Sequence, residues 1–149
     1  MSLLKIIATC SGIGYIKGGG TIAATVFTLL WYFIPFLHNN LPVQVVLFVV
    51  ISAVGVFASN KLEAVWGKDS GKIVIDEVAG MGCTLLFVPH TWQFALAGLI
   101  AFRFFDIVKP FFITSAEKLP AGWGVMADDI AAGICANIVL QLLVLLNVF

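Results

Sequence analysis

The sequence predicts an all-α, polytopic membrane bundle of about six helices. It should make about five crossings and carry a short N-terminal interfacial or re-entrant helix. Three observations carry this reading. Hydrophobic residues make up 61% and charged residues 11% of 149 positions, whereas a soluble domain carries about 25% charged residues. The mean hydropathy is +1.09. Of eight basic and eight acidic residues, only Lys5 and Lys17 fall outside the two stretches 61–77 and 103–129. A soluble surface disperses its charge; here it is gathered beside apolar runs. The length implies one domain, spanning 1–149.

The elements follow in order. The apolar stretch 3–13 is too short to cross a hydrocarbon core of roughly 30 Å, which takes about 20 helical residues. It reads as an interfacial or re-entrant helix without a secretory cleavage pattern. A glycine-rich loop, 14–20, leads into a helix over 21–37, where Trp31 and Tyr32 are placed like interface anchors. His38-Asn39-Asn40 turns the chain, and Pro42 suits the first turn of the next helix, read over 41–59. The first charged block, broken by Gly67 and Gly71, precedes a helix over 73–88. Pro89-His90-Thr91 turns the chain into a helix over 92–105. The second charged block, broken by Pro110, Pro120, Gly122 and Gly124, leads to a final helix over 128–149. Counting crossings puts every Lys and Arg on or next to one side, which the positive-inside rule makes cytoplasmic.

The charged residues carry the chemistry. Asp76-Glu77 and Asp128-Asp129 each open a predicted helix on the same side, at ends polarised to favour anions. Simple helix capping would account for one such pair more readily than for two. Between them, Arg103, Asp106 and Lys109 recur every third residue, which keeps the three on one helical face. On a soluble helix that would be an ion-pair ladder worth a few tenths of a kcal/mol. Here it sits at a membrane boundary, where ionisable groups mark a site. The acids Asp69, Asp76, Glu77, Asp106, Asp128 and Asp129 outnumber the bases Lys72, Arg103 and Lys109. Such an imbalance calls for a cation, and all-oxygen ligands select Mg²⁺ or Ca²⁺ over zinc. Mg²⁺ beside Arg and Lys suits a phosphate group. The run Gly18-Gly19-Gly20-Thr21 offers backbone N–H groups to a phosphate oxygen, or a plain turn with Thr21 as N-cap. No Walker Lys-Ser/Thr follows it, which excludes a nucleotide P-loop. Cys10, Cys83 and Cys135 are too scattered for a zinc or disulfide framework. His38 and His90 fall in turns on the opposite side and read as polar loop residues. Zero formal net charge argues against a nucleic-acid surface.

Three blocks resemble the phosphatidylglycerophosphatase A family. They are Asp69-Ser-Gly-Lys-Ile-Val-Ile-Asp-Glu-Val-Ala-Gly80, Phe102-Arg-Phe-Phe-Asp-Ile-Val-Lys-Pro110 and Gly122-Trp-Gly-Val-Met-Ala-Asp-Asp-Ile-Ala-Ala-Gly133, and the match extends over about 18–133. Their order and spacing make the resemblance specific. It implies a central helix ringed by others and a Mg²⁺-dependent lipid phosphatase of the bacterial inner membrane. The enzyme would convert phosphatidylglycerophosphate to phosphatidylglycerol and inorganic phosphate. The resemblance carries the family's acidic positions to Asp69, Asp76 and Glu77, its Arg-Asp-Lys motif to Arg103, Asp106 and Lys109, and its last acidic pair to Asp128 and Asp129. Of the family's early glycine motif only Gly20 and Thr21 carry over, because Ala24 lacks the hydroxyl usual at that position.

The expected roles are therefore these. Asp106, Asp69 and Asp76 are candidates for catalysis. Arg103, Lys109, Lys72, Thr21 and Gly20 are candidates for phosphate binding. Glu77, Asp76, Asp128 and Asp129 are candidates for holding Mg²⁺. The expected partners are a lipid phosphate and the membrane, with no nucleic acid and no obligatory protein partner. Two other readings stand beside this one. A phospholipid-forming phosphotransferase also clusters Asp at a membrane face, although its spaced motif is missing. A small ion-coupled transporter subunit would place its carboxylates nearer mid-membrane.

Overall fold

The structure is a computed structural model that describes residues 2–67, 70–116, 118–120 and 122–148. Those residues form eight α-helices and one 3₁₀ turn. In chain order the helices are α1 (Leu3–Ala8), α2 (Gly19–Phe33), α3 (Pro35–His38), α4 (Leu41–Trp66), α5 (Ile75–Thr84), α6 (Trp92–Val108), α7 (Phe111–Ala116) and α8 (Gly122–Leu145). The 3₁₀ turn is Ile13–Tyr15.

α5 occupies the centre. It packs against α2, α4, α6 and α8, and Ile75, Asp76, Ala79, Gly80, Met81, Cys83 and Thr84 are buried. Its two sides belong to two apolar clusters. One holds Met81 with Phe102, Phe94 and Leu140. The other holds Ile75 and Ala79 with Ala58, Leu62 and Met126.

The helix boundaries correct the sequence reading in several places. The 3–13 stretch is not one helix: α1 ends at Ala8, and the backbone then turns through left-handed φ values at Cys10, Ser11 and Gly12. The helix expected over 21–37 is split. α2 begins at Gly19, and Pro35, which lacks an N–H to continue the ladder, opens the separate α3. The N-cap of α2 is Gly18 with φ 78°, so Thr21 lies inside the helix and does not cap it.

α4 runs through the first charged block to Trp66, because 60–66 contains no breaker and Gly67 (φ 84°) ends it. The helix read over 73–88 is the ten-residue α5. It stops early because Asn137 of α8 donates to the carbonyls of Thr84 and Leu86 at 2.9 and 2.8 Å, which satisfies groups that a longer helix would have bonded.

The largest correction concerns α8. It starts at Gly122, so Asp128 and Asp129 lie about two turns inside the helix rather than at its mouth. Gly122 is not a breaker. A Cβ there would meet Val56 O at 2.6 Å and Asn60 N at 2.7 Å, so the glycine permits close contact with α4. Asn60 Oδ1 in turn accepts from Gly122 N at 2.6 Å, capping an orphan amide of α8.

Two helices, α4 and α8, are long and apolar enough to cross a membrane. At 26 and 24 residues they rise about 39 and 36 Å. α2 and α6 are shorter, at 15 and 17 residues. Along α8 the exposed large side chains Ile134, Ile138, Leu142 and Leu145 form one stripe. On α4, Val45, Val46, Val49 and Val50 are likewise exposed. Stripes of this kind suit hydrocarbon rather than water.

Candidate active site

The acidic site is built by one close helix crossing. A Cβ on Gly133 would collide with Gly80 O, and a Cβ on Gly80 would lie 2.7 Å from Asp129 O. The two glycines therefore let α5 and α8 meet backbone to backbone, the device that small residues provide at membrane helix contacts. Asp76 lies one turn before Gly80, and Asp129 lies one turn before Gly133. The crossing thus brings residues 53 positions apart in sequence to one place.

Asp76, Glu77 and Asp129 each offer a carboxylate oxygen, and these oxygens all lie within 4.8 Å of one another. Asp76 and Asp129 are buried and Glu77 is half-buried. Asp76 Oδ1 accepts from the Glu77 amide at 3.1 Å. Glu77 Oε2 and Asp129 Oδ2 are buried with no hydrogen-bond partner. At about 4.8 Å and an effective dielectric constant near 20, each pair of charges repels by about 3 kcal/mol. Burial without donors adds to that cost. A cation bound by all three relieves both, so the donor set fits a hard divalent ion.

The first turn of α2 closes one side. A Cβ on Gly20 would collide with Glu77 Oε1, so this glycine makes room for the carboxylate. Thr21, next to it, is exposed.

The basic residues stand on the other side, each with its own carboxylate. Arg103 Nη1 donates to Asp106 Oδ2 at 2.5 Å, and Arg103 Nε is buried with no hydrogen-bond partner. The Asp106 carboxylate also lies close enough to Asp129 to interact with it. It therefore bridges the guanidinium and the acidic triad. Lys109 is the C-cap of α6, in a left-handed conformation (φ 43°). That turn takes it out of the helical ladder expected with Arg103 and Asp106 and sends its ammonium to Asp128 Oδ2, 2.5 Å away.

The sequence-predicted residues are thus partly assembled. Asp76, Glu77 and Asp129 form the triad, with Gly20 against it and Asp106–Arg103 beside it. Asp128, expected with the metal ligands, lies outside the triad and holds Lys109. Lys72, expected at the phosphate, stands instead over the Trp66 ring at 5.6 Å, with Lys5 over the same ring at 5.8 Å. Asp69 lies outside the described residues. Two contributors were not singled out from sequence: Gly80 and Gly133, at the ends of the motif blocks, set the helix approach. The only trace of their role was a glycine one turn after each acidic pair.

At the opposite end of the bundle, His38 and His90 are not isolated loop residues. Their rings stack at 3.4 Å, and His90 Nε2 lies 2.8 Å from Tyr32 O.

Comparison with known proteins places these residues in context. The family model described as phosphatidylglycerophosphatase A matches residues 6–144. A Bacteroides thetaiotaomicron protein named "Putative phosphatidylinositol-3-phosphatase" is 35% identical over 125 residues, covering 82% of this chain and 78% of that protein. The phosphatidylglycerophosphatase A of Haemophilus influenzae is 46% identical over 88 residues, covering 57% and 54%. That of Escherichia coli is 36% identical over 129 residues, covering 83% and 72%. No solved structure matches.

Proposed function

Because this chain belongs to the phosphatidylglycerophosphatase A family and is a phosphatase, we propose that it removes the terminal phosphate monoester of phosphatidylglycerophosphate, leaving phosphatidylglycerol and inorganic phosphate. The observation that carries the reading is the convergence of Asp76, Glu77 and Asp129, with two buried oxygens unpartnered, beside Arg103.

In this reading Asp76, Glu77 and Asp129 hold Mg²⁺, which when bound supplies positive charge to the phosphate oxygens. Arg103 binds the phosphate, using the planar donor fork that suits such oxygens. Asp106 orients Arg103, and Asp128 holds Lys109 ready for a second phosphate oxygen. Gly20 keeps the first turn of α2 close enough to fix the Glu77 carboxylate. Hydrolysis at phosphorus depends mainly on positioning and charge neutralisation, and these residues are equipped for both. Asp76 and Asp106 are the candidates to take the proton of the attacking water. Asp69 keeps its sequence-based candidacy for catalysis, and Lys72 and Thr21 keep theirs for phosphate binding.

The site lies at the end of the bundle that collects the described Lys and Arg residues, so we assign it to the cytoplasmic side of a bacterial inner membrane. α4 and α8 would span, with α2 and α6 crossing by tilt or local thinning. The name of the Bacteroides relative favours a second lipid, a phosphoinositide monoester.

Purified full-length protein with Mg²⁺ and vesicles of either lipid separates the possibilities. We expect phosphate release from phosphatidylglycerophosphate at a higher kcat/KM than from phosphatidylinositol 3-phosphate. The reverse order reassigns the headgroup, and release from neither overturns the reading.

A further inference from the structure

An open apolar groove of about 240 Å³ lies along α2, the helix whose first turn meets the Glu77 carboxylate. Its walls include Ala23, Phe27 and Leu30 of α2, Val78 of α5, and Cys10 and Ser11 of the turn after α1. We propose that this groove holds one acyl chain of the lipid whose phosphate is bound at the triad, an inference that rests on the lipid-phosphatase reading above.

Register makes the groove continuous with the site. Gly20, Ala23, Phe27 and Leu30 are spaced by three, four and three residues, which puts them on one face of α2. Gly20 heads that face and lies against the Glu77 carboxylate. From Gly20 to Leu30 the helix rises about 15 Å, away from the charged end.

The wall formed by the turn is fixed to the same place. Val74 N donates to Ala8 O at 2.9 Å, and Cys10 Sγ reaches Val74 O at 3.8 Å, two residues before Asp76.

Polarity runs in the order a phospholipid requires. Cys10 and Ser11 lie at the charged end, and the rest of the lining is hydrocarbon. Leu30 and Val26, at the lip, are 47% and 38% exposed, so the groove opens toward the surroundings of the bundle.

Two larger grooves lack this continuity. The groove between α4 and α8, about 390 Å³, is lined on α8 by Trp123, Met126, Ala127, Ile130, Ala131 and Ile134, which point about 60–160° around the helix from Asp129. The groove between α2 and α6, about 330 Å³, includes Tyr32 and Trp92, at the end of the bundle far from the triad.

The test compares dioleoyl phosphatidylglycerophosphate with its deacylated headgroup, glycerophosphoglycerophosphate, using full-length protein in detergent with Mg²⁺. Wild type should hydrolyse both and prefer the acylated form. Val26→Trp and Leu30→Trp fill the groove at two depths. Each should lower kcat/KM for the acylated lipid about tenfold, mainly through KM, and leave the deacylated substrate unchanged. Ala53→Trp, in the α4–α8 groove, should leave the ratio of the two substrates unaltered. An unchanged ratio in both α2 variants overturns the groove assignment, and so does a ratio that collapses only in Ala53→Trp. Equal losses on both substrates in both α2 variants overturn it too. Wild-type protein that releases phosphate from neither substrate overturns the phosphatase reading itself.

Discussion

Lys109 Nζ lies 2.5 Å from Asp128 Oδ2, and this contact ties the C-cap of α6 to the second turn of α8. It also explains why two adjacent aspartates part company. Successive helical residues point about 100° apart, so Asp129 turns to α5 and the triad while Asp128 turns to the end of α6.

The pair yields a stability prediction. Lys109→Met removes a charge-bearing donor from the buried Asp128 carboxylate while Lys109 itself is 30% exposed, and losing one partner of a buried acceptor costs about 1–3 kcal/mol. Lys109→Met combined with Asp128→Asn should recover much of that loss, because the buried carboxylate charge is gone. Denaturant unfolding in detergent measures both. A double variant no more stable than the single one contradicts the role given to the pair.

Gly20→Ala tests the contact between α2 and the triad. Its Cβ needs the space occupied by Glu77 Oε1, so the carboxylate must move while the helix itself gains a favourable residue. The expected result is a folded protein whose phosphatase activity falls at least about 10²-fold, the scale of losing one positioned polar group. Mg²⁺ should raise the Tm of wild type by ligand linkage and raise that of Gly20→Ala far less.

Gly133→Ala should separate α5 from α8, because its Cβ meets the Gly80 carbonyl. Backbone is not free to yield as a flexible side chain would, and overpacking of this kind costs about 1–3 kcal/mol. Stability and the Mg²⁺ response should fall together, read by thermal unfolding with and without the ion. A variant with an intact Mg²⁺ response shows that the triad does not depend on this crossing.

Asn137→Ala makes a useful contrast. It removes the two donations that terminate α5 and leaves the Thr84 carbonyl without its α8 donor, Leu86 O keeping only Gln141 at 3.4 Å, at a cost of about 1–3 kcal/mol. Its site lies at the far end of α5, so the Tm should drop while the Mg²⁺-induced shift persists. Loss of both would show that the end of α5 governs the site.

The legible and illegible parts of this fold separate along physical lines. Apolar content and long uninterrupted runs identified the helices, and the position of Asp76 and Glu77 in a first turn was read correctly. Boundaries set by tertiary contact were not readable. Gly122 looks like a breaker in isolation, yet it opens a helix because α4 lies against it. α5 ends early because side chains of α8, remote in sequence, supply its closing hydrogen bonds.

The charged residues were equally divided. Their concentration in two stretches was legible in the sequence. The separation of Asp128 from Asp129 depends on the left-handed turn at Lys109, which leaves no local signal, whereas the contact of Lys72 with Trp66 follows from the extension of α4 to its Gly67 cap.

The most direct test of the central claim is phosphate release from phosphatidylglycerophosphate by purified wild-type and Glu77→Gln protein, with and without Mg²⁺. Glu77→Gln keeps the side-chain shape while removing one charge from the triad. The account predicts Mg²⁺-dependent release by wild type and a loss of about 10²–10³-fold in the variant, with metal-free unfolding no less cooperative and no less stable. Glu77→Gln protein that hydrolyses the lipid at the wild-type rate, with the same dependence on Mg²⁺, would contradict it.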